Sequence, residues 1–244
     1  MTPRITIATT IRVIAQLRRD PRTIALLVVV PCLLMVLLRA VIGDGPSFQN
    51  IAVPLAGIFP LISMFLVASI ALLRERTSGT LERLMTMPIG KLDLLFGYAA
   101  AFALIAIAQA VVVCVVMLGP LNVPTKGSVV FLITFSVANG LLGMAIGLFI
   151  SAFARTEFQA VQFMPAFLLP QLMLCGIFGP RGNMAGALEA LSDVLPMTYA
   201  YEALKLVATQ SGWSADLTRD LVVIVAGIVV SLALGAVTLR RQTV

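Results

Sequence analysis

Residues 74–97, RERTSGTLERLMTMPIGKLDLLFG, set a compact group of charges between two strongly apolar stretches. Ser78 and Gly79 suit the start of a helix, and Glu82 places negative charge in its first turn, where the helix dipole favours it. Pro88 then stops the helix. At 100° per residue, Leu81, Leu84 and Met85 share one face, with Arg83 opposite and Glu82 on the flank. The spacing predicts a rigid amphipathic peg over 80–87, about two turns and ~12 Å long. Its chemistry is docking: an apolar stripe beside one acid and one base. The alternative is a tight connector whose charges do no more than sit at a membrane surface.

Other chemistry is sparsely supplied. The chain has no histidine, which removes the commonest metal ligand and the commonest general base. Cys32, Cys114 and Cys175 lie in apolar stretches and form neither a CxxC pair nor a disulfide framework, so they read as small buried hydrophobes. No GxxxxGK[ST] phosphate loop occurs, so energy-driven work would use a nucleotide bound by another subunit. Without metal-spaced ligands or carboxylate pairs inside the apolar spans, a membrane-embedded enzyme lacks a catalytic constellation.

The elements that must position the peg follow from composition. The 244 residues are 60% hydrophobic and 11% charged, less than half the roughly 25% of soluble domains. The class is an all-α integral membrane protein, a single transmembrane domain over 1–244. A bilayer core of ~30 Å needs about 20 apolar residues per helix, and six stretches qualify: 23–43, 51–73, 92–118, 128–154, 158–178 and 221–239. Arg39 lies near the end of the first, where its side chain reaches the interface. Before it, residues 1–22 read as an amphipathic interfacial helix with Ile5, Ile7, Ile11, Ile14 and Leu17 at helical spacing and Pro21 as its stop. No small-residue cleavage site follows, so a signal peptide is not expected. Residues 179–220 hold two short external helices, near 185–191 and 196–208.

The formal charge of +6 gathers at the ends of the apolar spans, which points to membrane lipids rather than nucleic acid. Arg4, Arg12, Arg18, Arg19, Arg22, Arg74, Arg76, Arg83, Lys91, Arg155, Arg240 and Arg241 fall on one side when the N-terminus is inside. Arg39, Lys126, Arg181, Lys205 and Arg219 fall on the other. The bias places both termini in the cytoplasm.

Two spans carry most of the interest. Span two holds Pro54 and Pro60, and span five Pro165 and Pro170, interruptions that suit helices bending around a cavity, or simple packing. Phe59, Met64 and Phe65, with Phe163, Met164, Phe167, Gln171 and Met173, form a deformable set fit for an apolar or amphipathic cargo, although each alone could be a core or lipid-facing residue. No Asp, Glu, Lys or Arg lies deep inside a span, which argues against a stand-alone ion-coupled carrier. Gln109 and Asn139 are candidate interhelical hydrogen bonds, and Gly143-x-x-x-Gly147 is a close-packing spacing within the chain.

The stretch LLRERTSGTLERLMTMPIGKLDLLFGYAAAF resembles the first cytoplasmic loop and third span of the type 2 ATP-binding-cassette (ABC) transporter permeases. LLPQLMLCGIFGPRGNMAGALEALSDVLPMTYAYEALK, 168–205, resembles that family's fifth span and external helices. With the six spans and the N-terminal helix, the resemblance covers nearly the whole chain. It implies that the peg, with Thr80, Leu81, Glu82, Arg83, Leu84 and Met85, is a coupling helix seated in a separate ATPase subunit, and that residues 4–19 are the connecting helix beside it. It also implies two ABC ATPase subunits per complex, holding ATP and Mg2+, and a second permease copy or a sister permease. Spans two and five would line the path: Phe59, Met64, Phe65, Phe163, Phe167, Gln171 and Met173, with Pro54, Pro60, Pro165 and Pro170 as hinges.

The function so implied is the permease subunit of an ATP-driven exporter in the bacterial cytoplasmic (inner) membrane. The LCGIFGPR version of the fifth span looks like that of drug or antibiotic efflux permeases, which move hydrophobic or amphipathic compounds. A lipid or glycan precursor is the alternative cargo, although one Trp and three Tyr supply little of the aromatic lining a glycan channel uses.

Overall fold

The computed structural model describes residues 3–80 and 90–238, and among them every regular element is helical. Of the docking peg, Thr80 is described; Leu81, Glu82, Arg83, Leu84 and Met85 lie outside the described residues. Ser78 and Gly79, read in the sequence as a helix start, close the preceding helix. The Ser78 amide donates to Arg74 O, and Gly79 turns at φ +70°, a left-handed value that favours glycine.

Helix α1 (Pro3–Arg18) begins at a proline, whose fixed φ suits a first helical position, and stops before the Asp20-Pro21 corner. Thr9, Val13 and Leu17, four residues apart, form its buried face. The sequence pattern put the isoleucines on one face, whereas the structure splits them: Ile5 and Ile14 are half-buried, and Ile7 and Ile11 are 58% and 62% exposed. One stripe packs on the protein and another is left for the surroundings. Gly97 allows the close approach, since a Cβ there would lie 2.5 Å from Thr9 Cβ.

Helices α2 (Pro21–Ile42), α3 (Pro46–Thr77), α4 (Lys91–Leu118) and α5 (Val129–Ile150) follow. Asp20 caps α2 by accepting from the Thr23 amide at 3.2 Å. Helix α3, 32 residues or about 48 Å at 1.5 Å per residue, outruns the expected 51–73 because Arg74, Glu75 and Arg76 continue it. Helix α5 is the centre of the bundle. Its Gly140, Gly143 and Gly147 press on α3 and α4, and a Cβ on Gly147 would come within 2.4 Å of Phe65 O. The GxxxG spacing therefore serves packing inside the chain.

Helix α6 (Glu157–Leu174) covers most of the expected fifth span. Five described helices, α2, α3, α4, α5 and the last, α9, are long and apolar enough to cross a membrane, and α6 is not one of them. Its 18 residues reach only about 27 Å, and three glutamines, Glu157 and two prolines dilute its apolarity. It ends at Leu174, short of 178, where Gly176 turns at φ +97°.

A single 3-10 turn (Arg181–Asn183), α7 (Gly186–Val194) and α8 (Pro196–Thr209) overlie the stretch of short helices read between spans five and six. Helix α9 (Ala215–Thr238) starts six residues before 221, because Ser214 Oγ accepts from the Leu217 amide at 3.3 Å. Buried amides tie the helices as their position suggested. Gln109 donates to Leu27 O at 3.0 Å and accepts from Ser63 Oγ at 2.9 Å, and Asn139 donates to Ala200 O at 3.2 Å.

Candidate functional site

Three consecutive side chains at the end of α3 reach three different neighbours. Glu75, 6% exposed in its side chain, accepts from Arg12 Nη1 on α1 at 2.5 Å and from Gln16 Nε2 at 3.3 Å. The buried Tyr98 of α4 lies against the same pair. Arg74 donates Nε and Nη2 to the two oxygens of Glu157, at 2.7 and 3.0 Å, and so holds the first turn of α6. Arg76 donates to Ser151 O in the turn that follows α5. The base of α3 is therefore bound to α1, α5 and α6 at once, ending four residues before Thr80.

The expected path residues divide by burial. Met64 and Phe65 are fully buried in the packed interior of α3, α4 and α5. Phe59 and Phe163 are half-buried. Phe167 and Met173 are 43% and 49% exposed and offer an open apolar face on α6. Phe163 and Phe167 meet edge to face, 6.4 Å between centroids. Gln171 is buried and bonds back to Phe167 O at 3.1 Å, while its Oε1 has no hydrogen-bond partner among the described residues. A cleft of about 460 Å³ opens beside Phe163, lined also by Phe153, Arg155, Gln159 and Gln162.

The four prolines lie inside continuous helices, Pro54 and Pro60 in α3 and Pro165 and Pro170 in α6. Ser63 Oγ, one turn from Pro60, stands within hydrogen-bond reach of both Phe59 O at 2.8 Å and Gln109 Oε1 at 2.9 Å, which its one hydroxyl hydrogen serves in alternation.

At the opposite end, Arg181 joins the short helices. It donates to Asp193 Oδ1 of α7 at 2.7 Å and pairs with Glu202 of α8 at 2.6 Å; Glu202 also meets Arg219 of α9 at 3.4 Å. Burial opposes the charge on Arg181, but Asp193 and Glu202 outweigh it and hold the guanidinium above its ordinary value. Ser192 Oγ donates to Leu174 O at 2.8 Å, tying α7 to the end of α6. Arg181→Ala is expected to cost about 1–2 kcal/mol, since its partners stay partly solvated. A thermal melt in detergent should show a fall of a few degrees.

A model of the ABC-2 type transporter family matches residues 5–207. The chain belongs to the ABC-2 type transporter family. Among its relatives, "Probable multidrug ABC transporter permease YbhR" of Escherichia coli is 28% identical over 146 residues, 60% of this chain and 40% of that protein. "Probable multidrug ABC transporter permease YbhS" of the same organism is 24% identical over 178 residues, 72% of this chain and 47% of its own. "ABC transporter G family member 20" of Dictyostelium discoideum is 25% identical over 139 residues, 57% of this chain and 19% of its own. The chain thus spans less than half the length of each of these relatives.

In this ABC-2 chain, the residues that sequence reading passed over lie just beyond the expected helix ends, after the expected end of α3 and before the expected start of α9. Glu75 was assigned to a loop, as was Asp220, which is 0% exposed in α9 beside Arg219. A buried carboxylate leaves no mark in sequence except its helical register with an apolar face. Glu75 does continue one, three residues after Leu72.

Proposed function

We propose that this ABC-2 chain is the transmembrane permease subunit of an ATP-driven exporter. It moves hydrophobic or amphipathic compounds across the bacterial inner membrane, with both termini in the cytoplasm. ATP and Mg2+ are held by two separate ATPase subunits, and two permeases, alike or sister chains, complete the complex. The observation that carries this reading is the junction at the base of α3, where Arg74, Glu75 and Arg76 bind α6, α1 and the end of α5. A push on Glu82 and Arg83 in the 80–87 coupling segment passes through it to α3 and α6 together.

Path and hinges follow from that route. Phe59, Phe163, Gln171, Phe167 and Met173 supply the cargo surface, and the two aromatic rings and two glutamines around the 460 Å³ cleft suit an amphipathic molecule. Pro54 and Pro60 let α3 bend, although its Leu61 and Phe65 backbone is pinned to α5. The outer part of α3 therefore bends while its inner part moves with α5. The drug or antibiotic class of the cargo is supported by the multidrug permeases among the relatives.

Co-purification with the cognate ATPase tests the reading. Wild type should bring the ATPase down and raise its turnover, and Glu82→Ala/Arg83→Ala should lower the stimulated rate at least tenfold. Equal association and turnover in the double variant would sink the coupling assignment.

A further inference from the structure

Beside the junction a cleft of about 380 Å³ opens between the α1–α2 turn and the last turns of α3. Its floor is apolar, with Val67, Ile70 and Ala71, and its rim is polar, with Gln16, Asp20 and Arg74. The rim holds an acid and a base that do not satisfy one another. Arg74 commits Nε and Nη2 to Glu157, while its Nη1 stands 4.0 Å from Asp20 Oδ2, beyond hydrogen-bond length. Asp20 accepts from Thr23 at 3.2 and 2.7 Å and keeps further lone pairs on both oxygens. The Thr23 hydrogen bonds, with the charges of Arg74 and Arg22, hold its carboxyl below the usual carboxylate range.

A ligand for this rim must bring both charges. A purely anionic group would sit against Asp20 and Glu75, and a purely cationic one against Arg74. We infer that the cleft binds the phosphoethanolamine headgroup of a phospholipid, with the phosphate on Arg74 Nη1 and the ammonium on Asp20. The volume, near the low end for ligand pockets, takes a headgroup and the first methylenes of its chains. The tails have a ready surface. Thr23, Leu26, Val30 and Leu33 share one stripe of α2, and the last three are 61%, 39% and 52% exposed. Because Gln16 and Glu75 also line the cleft, its occupant lies against the α1–α3 tie.

The amine is the discriminating atom, since a quaternary choline head offers Asp20 no N–H. Native mass spectrometry of the full chain in detergent, titrated with phosphatidylethanolamine, phosphatidylcholine and phosphatidylglycerol, tests the assignment. Phosphatidylethanolamine should be retained at least fivefold better than either of the others. Asp20→Asn should erase that preference while still capping α2, because asparagine caps as well as aspartate. Ala71→Phe, which fills the floor, should lower retention of all three lipids, with a melt confirming the fold. Equal retention of the three lipids overturns the inference, as does a preference for phosphatidylglycerol driven by the arginines alone, or a preference that survives Asp20→Asn. No ATPase enters the experiment, so its failure leaves the export reading untouched.

Discussion

Gly143→Ala is expected to lower the melting temperature of the detergent-solubilised protein by roughly 6–12 °C, from ~3 kcal/mol or more of overpacking at about 2–4 °C per kcal/mol. A Cβ at that position would lie 1.9 Å from Leu61 O, 2.7 Å from Leu61 C and 2.9 Å from Leu61 Cα. All three are backbone atoms, so no rotamer change relieves the clash, and α3 and α5 must part along their length. Gly147→Ala should be milder, because its nearest contact, Phe65 O, is 2.4 Å away. Gly235→Ala is the internal control: the nearest heavy atom to its Cβ is 3.8 Å off, an ordinary contact, so the melt should not move measurably. The order Gly143, Gly147, Gly235 is the test. A Gly143→Ala protein melting with wild type would mean that α3 and α5 are not in backbone contact.

That contact shows which parts of the molecule can be read from sequence. Gly143 and Gly147 carry their information in spacing, because only a residue without Cβ fits where two helices touch, and this holds whatever the partner helix is. The apolar spans are legible for a similar reason: hydrocarbon sets a minimum apolar length of about 20 residues for a helix that crosses it. Helix ends are a different matter. Arg74, Glu75 and Arg76 look like the start of a loop, yet helical propensity and three separate partners carry α3 through them to Thr77. Partners on distant elements leave no local trace. The same holds for α1, where five apolar residues at helical spacing imply one face. The structure uses Val13 and Leu17 with Thr9 for packing and turns Ile7 and Ile11 outward. Met64 and Phe65 are buried where Phe167 and Met173 are open, and composition cannot tell which side of a helix faces its neighbours. In the candidate path, the aromatic and methionine content of α3 and α6 was legible, and its division into buried and open halves was not.

Arg12→Ala is expected to produce the second large effect, and its pattern separates a structural tie from a transmitting one. Arg12 gives two N–H groups to Glu75, at 2.5 and 3.4 Å, and the Glu75 side chain is only 6% exposed. Breaking a buried pair by removing one partner costs about 3–5 kcal/mol, since the remaining charge is stranded. Here Gln16 still donates to Glu75, and Arg12 is 27% exposed, so about 2–3 kcal/mol is the expectation. Glu75→Gln removes the charge and keeps an acceptor for Arg12, so it should cost less than Arg12→Ala. The double variant Arg12→Ala/Glu75→Gln should be more stable than Arg12→Ala alone, because the stranded carboxylate is gone. Melting curves of the four proteins give the coupling energy; additive shifts would mean that the pair does not hold α1 to α3. ATPase stimulation in the assembled complex then supplies the functional half. If the double variant regains stability and still fails to stimulate, the pair transmits movement from α1 to α3. If stability and stimulation return together, its part is to keep the two helices in place.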